Sequence, residues 1–141
     1  MKVFIDTCII LDIMSGRKPH FNASASFLKL CGKQITGIVA ASQTTDIFYI
    51  LKRDGKSNDE AKAAIKKLCD NVRVVNVTAA DVTSALASHI KDYEDAMLAF
   101  GAKRHKAEYI ITRNEKDFEN SPVHALSPKA FLTRFYGNCT E

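Results

Sequence analysis

The chain has 141 residues, of which 46% are hydrophobic and 26% are charged. This balance is typical of a globular protein, and the length suffices for a single domain over residues 1–141 that buries its own core without a linker. The formal net charge of +4 is compatible with a nucleic-acid partner but does not require one.

Apolar runs and helix-like segments alternate along the chain. The first apolar run ends at Asp6. Ser57 and Glu60 form a capping-box pattern that opens a helix, and Ser127 followed by Pro128 predicts the start of the last helix. In chain order, we predict a strand at 2–5, helices at 7–14 and 21–31, a strand at 34–38, helices at 40–53 and 57–70, a strand at 72–77, helices at 78–88 and 92–106, strands at 108–111 and 123–126, and a closing helix from 127.

This alternation of strands and helices predicts an α/β fold. Helical crossovers between strands favour a parallel sheet, here of about five strands, with helices on both faces. In open sheets of this kind, ligands bind beyond the carboxyl ends of the strands. We therefore look for functional side chains where the predicted strands end.

Residue spacing excludes several familiar sites. The four cysteines form no C-x-x-C pair and the four histidines show no zinc-ligand spacing. The glycines form neither G-x-G-x-x-G nor a P-loop, and no G-x-S-x-G elbow is present. No segment resembles a signal peptide or is long and apolar enough to span a membrane, so we expect free thiols in a reducing cytoplasm.

Two acids in the first half of the chain each allow two interpretations. Asp6 directly follows the first strand, where it would serve either as a ligand at the sheet edge or as a helix N-cap. Asp46 lies inside an apolar helix, where it points either to solvent or to a site.

The second half of the chain adds further acids. Asp92, Glu94 and Asp95 open a helix, where the helix dipole alone would stabilise them, although Asp95 also borders the apolar stretch that follows. Asn114 and Asp117 lie in the polar segment after the fourth strand, which is either a plain turn or a second route to the crevice beside the first strand.

The acids are more informative together than singly. Mg²⁺ and Mn²⁺ prefer hard oxygen ligands, and Mg²⁺ is often held by one or two carboxylates with water and substrate phosphate. Several carboxylates that converge without a cation would repel one another, whereas bound metal removes this repulsion and admits an anionic substrate. The pattern therefore favours metal-assisted cleavage of a phosphodiester.

Several segments, in this order along the chain, resemble the PIN-domain family, and in particular the small bacterial VapC-like ribonucleases. The resemblance spans nearly the whole chain. It is carried by residues 2–12 (KVFIDTCIILD), 44–53 (TTDIFYILKR), 93–102 (YEDAMLAFGA), 107–118 (AEYIITRNEKDF) and 126–132 (LSPKAFL).

The resemblance implies a Rossmann-like parallel sheet in strand order 3-2-1-4-5 and a nuclease that depends on Mg²⁺ or Mn²⁺. VapC-like members are toxins that pair with an antitoxin protein and commonly form homodimers. We accordingly expect RNA as substrate, an antitoxin and a second copy of the chain as partners, and no membrane.

The family's site residues can be placed on this sequence. The first acid corresponds to Asp6, and the acid that opens the late helix best matches Asp95, with Asp92 and Glu94 as alternatives of register. The second acid is often a glutamate, and Asp46 stands at the matching position. The resemblance thus implies that Asp6, Asp95 and Asp46 hold the metal.

The remaining positions show both agreement and departure. Asn114 occupies the fourth position, which is usually an acid or Asn, and Asp117 is a possible substitute for it. Thr7 resembles the hydroxyl residue beside the first acid, and the resemblance implies that it contacts substrate, while Cys8 stands where Asn is frequent. Arg113 would contact a substrate phosphate or serve as an exposed structural arginine.

We therefore predict a metal-dependent endoribonuclease with Asp6, Asp46, Asp95, Asn114 and Asp117 as its catalytic set. The main alternative is a non-catalytic PIN-like module that binds RNA or protein, because fold does not fix function. A phosphatase on the same architecture is less favoured, because the sequence lacks the usual nucleophile signatures.

Overall fold

The strands of the protein are short, and the central strand is apolar and buried over residues 3–5. The computed structural model describes residues 1–137. In chain order its elements are β1 (Lys2–Ile5), α1 (Thr7–Met14), α2 (Phe21–Leu28), β2 (Thr36–Ala40), α3 (Ala41–Arg53), α4 (Asn58–Cys69), β3 (Arg73–Val75), α5 (Ala79–Ala87), α6 (Tyr93–Arg104), β4 (Tyr109–Ile111), a 3₁₀ helix (Glu115–Phe118), β5 (His124–Leu126) and α7 (Pro128–Tyr136).

The five strands form one parallel sheet in the order β3-β2-β1-β4-β5, as predicted. Val3 and Ile5 of β1 enter one hydrophobic cluster with residues of α1 to α4 and α7. Phe4, between them, enters a second cluster with residues of α5 and α6. Successive side chains of a strand point to opposite faces, so a central strand covered on both sides must be apolar throughout.

Two predicted elements differ from the structure by two or three residues at their ends. The second helix ends at Leu28 and not at residue 31, because the chain turns at Gly32, which has a φ of +80° and donates its N–H to Ile35 O at 2.9 Å. The second strand occupies Thr36–Ala40 and not 34–38. Its pairing with β1 on one side and β3 on the other fixes that register.

The predicted helix starts agree with the structure at two positions. Ser57 Oγ accepts the Glu60 N–H at 3.1 Å, while Glu60 Oε1 accepts the Ser57 N–H at 3.0 Å. Ser127 Oγ accepts the Ala130 N–H at 3.0 Å, with Pro128 at the first helical position. These caps satisfy donors that the first helical turn leaves open.

The chain's other general properties concern thiols and membranes. Cys8, Cys31 and Cys69 are free thiols, and Cys139 lies outside the described residues. None of the helices within residues 1–137 has the length and apolar character needed to cross a bilayer.

Candidate functional site

Asp6 lies where β1 ends, at the centre of the carboxyl edge of the sheet. Its residue is 8% exposed. Thr112 Oγ1 donates to Asp6 Oδ2 at 2.7 Å, and Cys8 Sγ lies 3.5 Å from the same oxygen. Asp6 occupies the N-cap position of α1 but makes no side-chain cap hydrogen bond, so capping does not account for its carboxylate.

A buried amide fixes the backbone around Asp6. Gln43 Nε2 donates to Ile5 O at 2.8 Å and to Thr7 Oγ1 at 3.1 Å, while Gln43 Oε1 accepts the Ala40 N–H at 2.7 Å. The side chain thus ties the end of β1 to the end of β2 and the start of α3. Thr7, which the sequence proposes as a substrate contact, is buried and serves as a partner of this amide.

The first turn of α6 supplies three acids. Asp92 is the N-cap, and its Oδ1 accepts the Asp95 N–H at 2.9 Å. Partial burial, together with the charges of Asp92, Asp6 and Asp117, raises the pKa of Asp95 to about 7.

The pKa of Glu94 is raised by a partly different set of neighbouring acids. Partial desolvation and then the charges of Asp46, Asp6 and Asp92 raise the pKa of Glu94 above its usual value. Carboxylates from four parts of the chain therefore act on one another. We call this group the edge acids, and its members are Asp6, Asp46, Asp92, Glu94, Asp95 and Asp117.

Five of the six edge acids, all except Asp6, line one or other of two cavities. Asp46 and Glu94 line a small cavity of about 50 Å³ together with Thr7 and Gln43. Asp92, Asp95 and Asp117 line a larger cavity of about 370 Å³, which also contains Lys91 and Lys116. Asp46 itself is exposed on α3.

The chemistry of the edge acids fits a divalent cation, although the ligands are not closed around one point. Their oxygens are the hard donors that Mg²⁺ and Mn²⁺ prefer, and the raised pKa values of Glu94 and Asp95 are partly the result of like charges that a cation would offset. Within residues 1–137, no three Asp, Glu, His or Cys side chains converge in a ligand arrangement. Binding would therefore require side-chain adjustment.

The segment after β4 divides its side chains between the site and the core. The Asn114 N–H donates to Thr112 Oγ1 at 3.1 Å, and Asn114 is exposed, as is Asp117 in the 3₁₀ helix. Arg113 Nε donates to Asp12 Oδ2 at 2.8 Å, and the Asp12 side chain is fully buried. Arg113 therefore has a structural ion pair.

Comparison with known families gives one match. A PIN-domain model matches residues 2–116. The chain belongs to the PIN-domain family. Comparison with curated protein sequences gives no match.

Solved structures similar to this PIN domain include complexes of toxins with antitoxins. A chain of VapBC2 from Rickettsia felis, bound to promoter DNA, is 15% identical with a TM-score of 0.71, over 90% of this chain and 98% of that one. A toxin–antitoxin complex from Klebsiella pneumoniae is 22% identical with a TM-score of 0.67, over 89% of this chain and 97% of that one. VapC20 from Mycobacterium tuberculosis, a toxin that cleaves the sarcin–ricin loop, is 18% identical with a TM-score of 0.63, over 77% of this chain and 86% of that one.

These likenesses establish that this PIN domain shares the VapC fold. At such identities, similarity of fold does not carry substrate or partner from one protein to another.

Sequence reasoning missed three residues that shape the site of this PIN domain. Gln43 follows the second apolar run by three residues, a spacing at which a side-chain amide can reach back to the end of the strand. Thr112, which orients Asp6, was only the first residue of a polar turn in the sequence. Asp12 lies inside the apolar helix α1, and an acid among apolar residues was the sequence signal for its buried ion pair.

Proposed function

We propose that this PIN domain is an endoribonuclease that depends on Mg²⁺ or Mn²⁺. The observation that carries the proposal is the set of edge acids at the carboxyl edge of the sheet. None of them forms an ion pair within the part of the chain that the structure describes. Unpaired, mutually repelling carboxylates are unfavourable for folding, so their presence indicates a cationic ligand.

Asp6 and Asp95 are the proposed principal metal ligands, with Asp46 and Glu94 as further donors. The bound ion would act as a Lewis acid toward water and the scissile phosphate. Thr112 holds Asp6 Oδ2, so Oδ1 keeps its lone pairs for another ligand. The Asp92 cap fixes the first turn of α6 and with it the backbone of Asp95.

Asn114 and Asp117 have weaker proposed roles. Asp117 adds negative charge next to Asp95 and lines the same cavity. The backbone of Asn114 is held by the hydroxyl that also orients Asp6. We therefore propose that both residues adjust the charge of the site or contact substrate. Thr7 is proposed to stabilise the backbone at the end of β1 through its hydrogen bond with Gln43.

RNA is the proposed substrate, and a toxin role in a toxin–antitoxin pair is the proposed context. The support is the fold shared with the sarcin–ricin loop cleaving toxin and with the toxin–antitoxin complexes, together with a net charge of +4. We further propose that the chain is a single domain over residues 1–141, that it forms a homodimer and binds an antitoxin protein, and that it is cytoplasmic. Three free thiols agree with a reducing compartment.

The first experiment is cleavage of a structured RNA by purified protein with Mn²⁺ or Mg²⁺ and with a chelator. Asp6→Asn and Asp95→Asn are prepared identically, and Asp59→Asn in the exposed first turn of α4 is the matched control. Loss of a ligand charge should lower the cleavage rate roughly 100-fold or more, while Asp59→Asn should retain it. Equal cleavage by all four proteins would show that the activity comes from elsewhere.

A second candidate is a PIN domain that binds RNA or protein without cleaving it. The favouring observation is that the acids of residues 1–137 are not closed into a ligand set. Calorimetric titration with Mn²⁺ separates the two functions. RNA binding without metal binding or cleavage would favour the binding module.

A further inference from the structure

A further cavity lies at the same edge of the sheet, on the other side of Thr112 from the edge acids. It has a volume of about 360 Å³ and lies where β4 and β5 end, between the starts of α2 and α7. Its lining contains Arg113, Lys129 and His20 but no acid. We call it the basic cavity.

The basic side chains of this cavity are available to a ligand. The side chains of Lys129 and His20 have no hydrogen-bond or ion-pair partner within residues 1–137. Arg113 uses only Nε for Asp12, so its two Nη groups have no partner among the same residues. The guanidinium is therefore held in place from one side by a buried carboxylate and keeps donors for an anion on the other.

Buried polar groups around the cavity also point to a ligand. Ser24 lines the cavity and is 1% exposed, yet its Oγ has no hydrogen-bond partner among the described residues. Unpartnered buried hydroxyls are rare because they lose hydration without compensation. The first turns of α2 and α7 also meet here, and the α2 N-cap, His20, makes no side-chain cap bond. Both helix dipoles favour negative charge at this position.

We propose that the basic cavity binds a backbone phosphate of the RNA substrate, next to the phosphate that is cleaved. This inference rests on the proposed function for its substrate. Thr112 contacts Asp6 on one side, and the following residue, Arg113, lines the cavity on the other. One nucleic-acid strand that crosses the carboxyl edge would thus meet the acids and the cations in succession. Lys129 and Arg113 are the specific contacts that position this strand.

The experiment measures binding of a fluorescently labelled single-stranded RNA in chelator, so that it does not depend on metal or cleavage. Lys129→Gln should weaken binding several-fold and lower the slope of log K against log salt by about 1, as for loss of one phosphate contact. Lys129→Arg should restore both. Lys62→Gln, at an exposed lysine of α4, controls for the loss of one charge.

The outcomes separate this inference from the proposed function. If Lys129→Gln weakens RNA binding and Lys62→Gln does not, phosphate binding in the basic cavity is supported, even if no RNA is cleaved with metal. Unchanged affinity and salt slope would overturn it, even if the wild type cleaves RNA efficiently. An equal loss in Lys62→Gln would show a general charge effect and overturn it too, as would absence of RNA binding by the wild type.

Discussion

Three buried aspartates of this PIN domain have different partners. Asp12 and Asp81 each lie 2.8–2.9 Å from an arginine nitrogen, of Arg113 and Arg104 respectively. Asp6 is also buried, but within residues 1–137 its carboxylate has only a hydroxyl and a thiol as side-chain partners. In this fold, Asp12 and Asp81 thus have an arginine as counter-ion, whereas Asp6 at the sheet edge has none among the described residues.

This difference separates acids with a structural ion pair from the acids of the proposed metal site better than burial does. A buried carboxylate with an arginine partner is neutralised as a pair, and removal of either partner leaves an uncompensated charge. A carboxylate among other carboxylates destabilises the free protein unless a cation binds. The same Asp-to-Asn change should therefore have opposite effects on stability in the two regions.

The largest effect is expected at the Asp12–Arg113 pair. Arg113→Gln should lower the free energy of unfolding by about 3 kcal/mol, because Asp12 has no exposed side-chain surface and would lose its counter-ion. Urea denaturation measures this change. Arg53→Gln is the control, since its pair with Asp54 is exposed and should contribute less than about 0.5 kcal/mol. Equal stability of the two variants would contradict the structural role of Arg113.

The Asp81–Arg104 pair should give a pH-dependent contribution of about 2 kcal/mol. The hydrogen bonds from Arg104 hold the pKa of Asp81 below its usual 3.8. A lowered folded-state pKa adds stability above the unfolded-state pKa and loses it as the pH falls toward the folded-state value. The gap in unfolding free energy between wild type and Asp81→Asn should thus be full at pH 6 and shrink below about pH 4. A gap that is constant down to pH 3 would refute the ion pair as its source.

A smaller effect is expected from the hydroxyl that orients Asp6. Thr112→Val removes the 2.7 Å hydrogen bond to Asp6 Oδ2 with little change of shape. Metal affinity or cleavage rate should fall about 10-fold, as is typical when the partner of a ligand is lost. Thr112→Ser should retain most activity. If the valine variant binds Mn²⁺ and cleaves RNA as the wild type does, Asp6 needs no such support.

The smallest expected effect tests whether loss of an edge acid stabilises the metal-free protein, the opposite of what loss of an ion-paired acid does. Asp95→Asn, measured in chelator, should raise the free energy of unfolding by on the order of 1 kcal/mol, because it removes one of several repelling charges that solvent partly screens. Added Mn²⁺ should then raise the melting temperature of the wild type more than that of the variant. A destabilised metal-free variant would mean that Asp95 has a structural role like that of Asp12.

The sequence predicted the fold, and the position of Asp6 at the sheet edge, for physical reasons that can be named. The apolar β1 run implied a strand buried on both faces, and Ser57 and Ser127 carried their own caps in local sequence. Asp6 was placed at the sheet edge because it directly follows that strand. The family resemblance supplied the strand order, which alternation alone does not fix.

Only the tertiary structure decided the partners of the polar residues. Gln43 reaches Ile5 O and Thr112 reaches Asp6 across separations of 38 and 106 residues. The sequence left open whether Arg113 contacts substrate or has a structural role, and its ion-pair partner, the buried Asp12, lies 101 residues away in the chain. Secondary structure and strand burial depend on patterns a few residues long, so the sequence by itself determines them. Partners of charged and polar side chains depend on which distant segments the sheet brings together, and only the folded chain determines those.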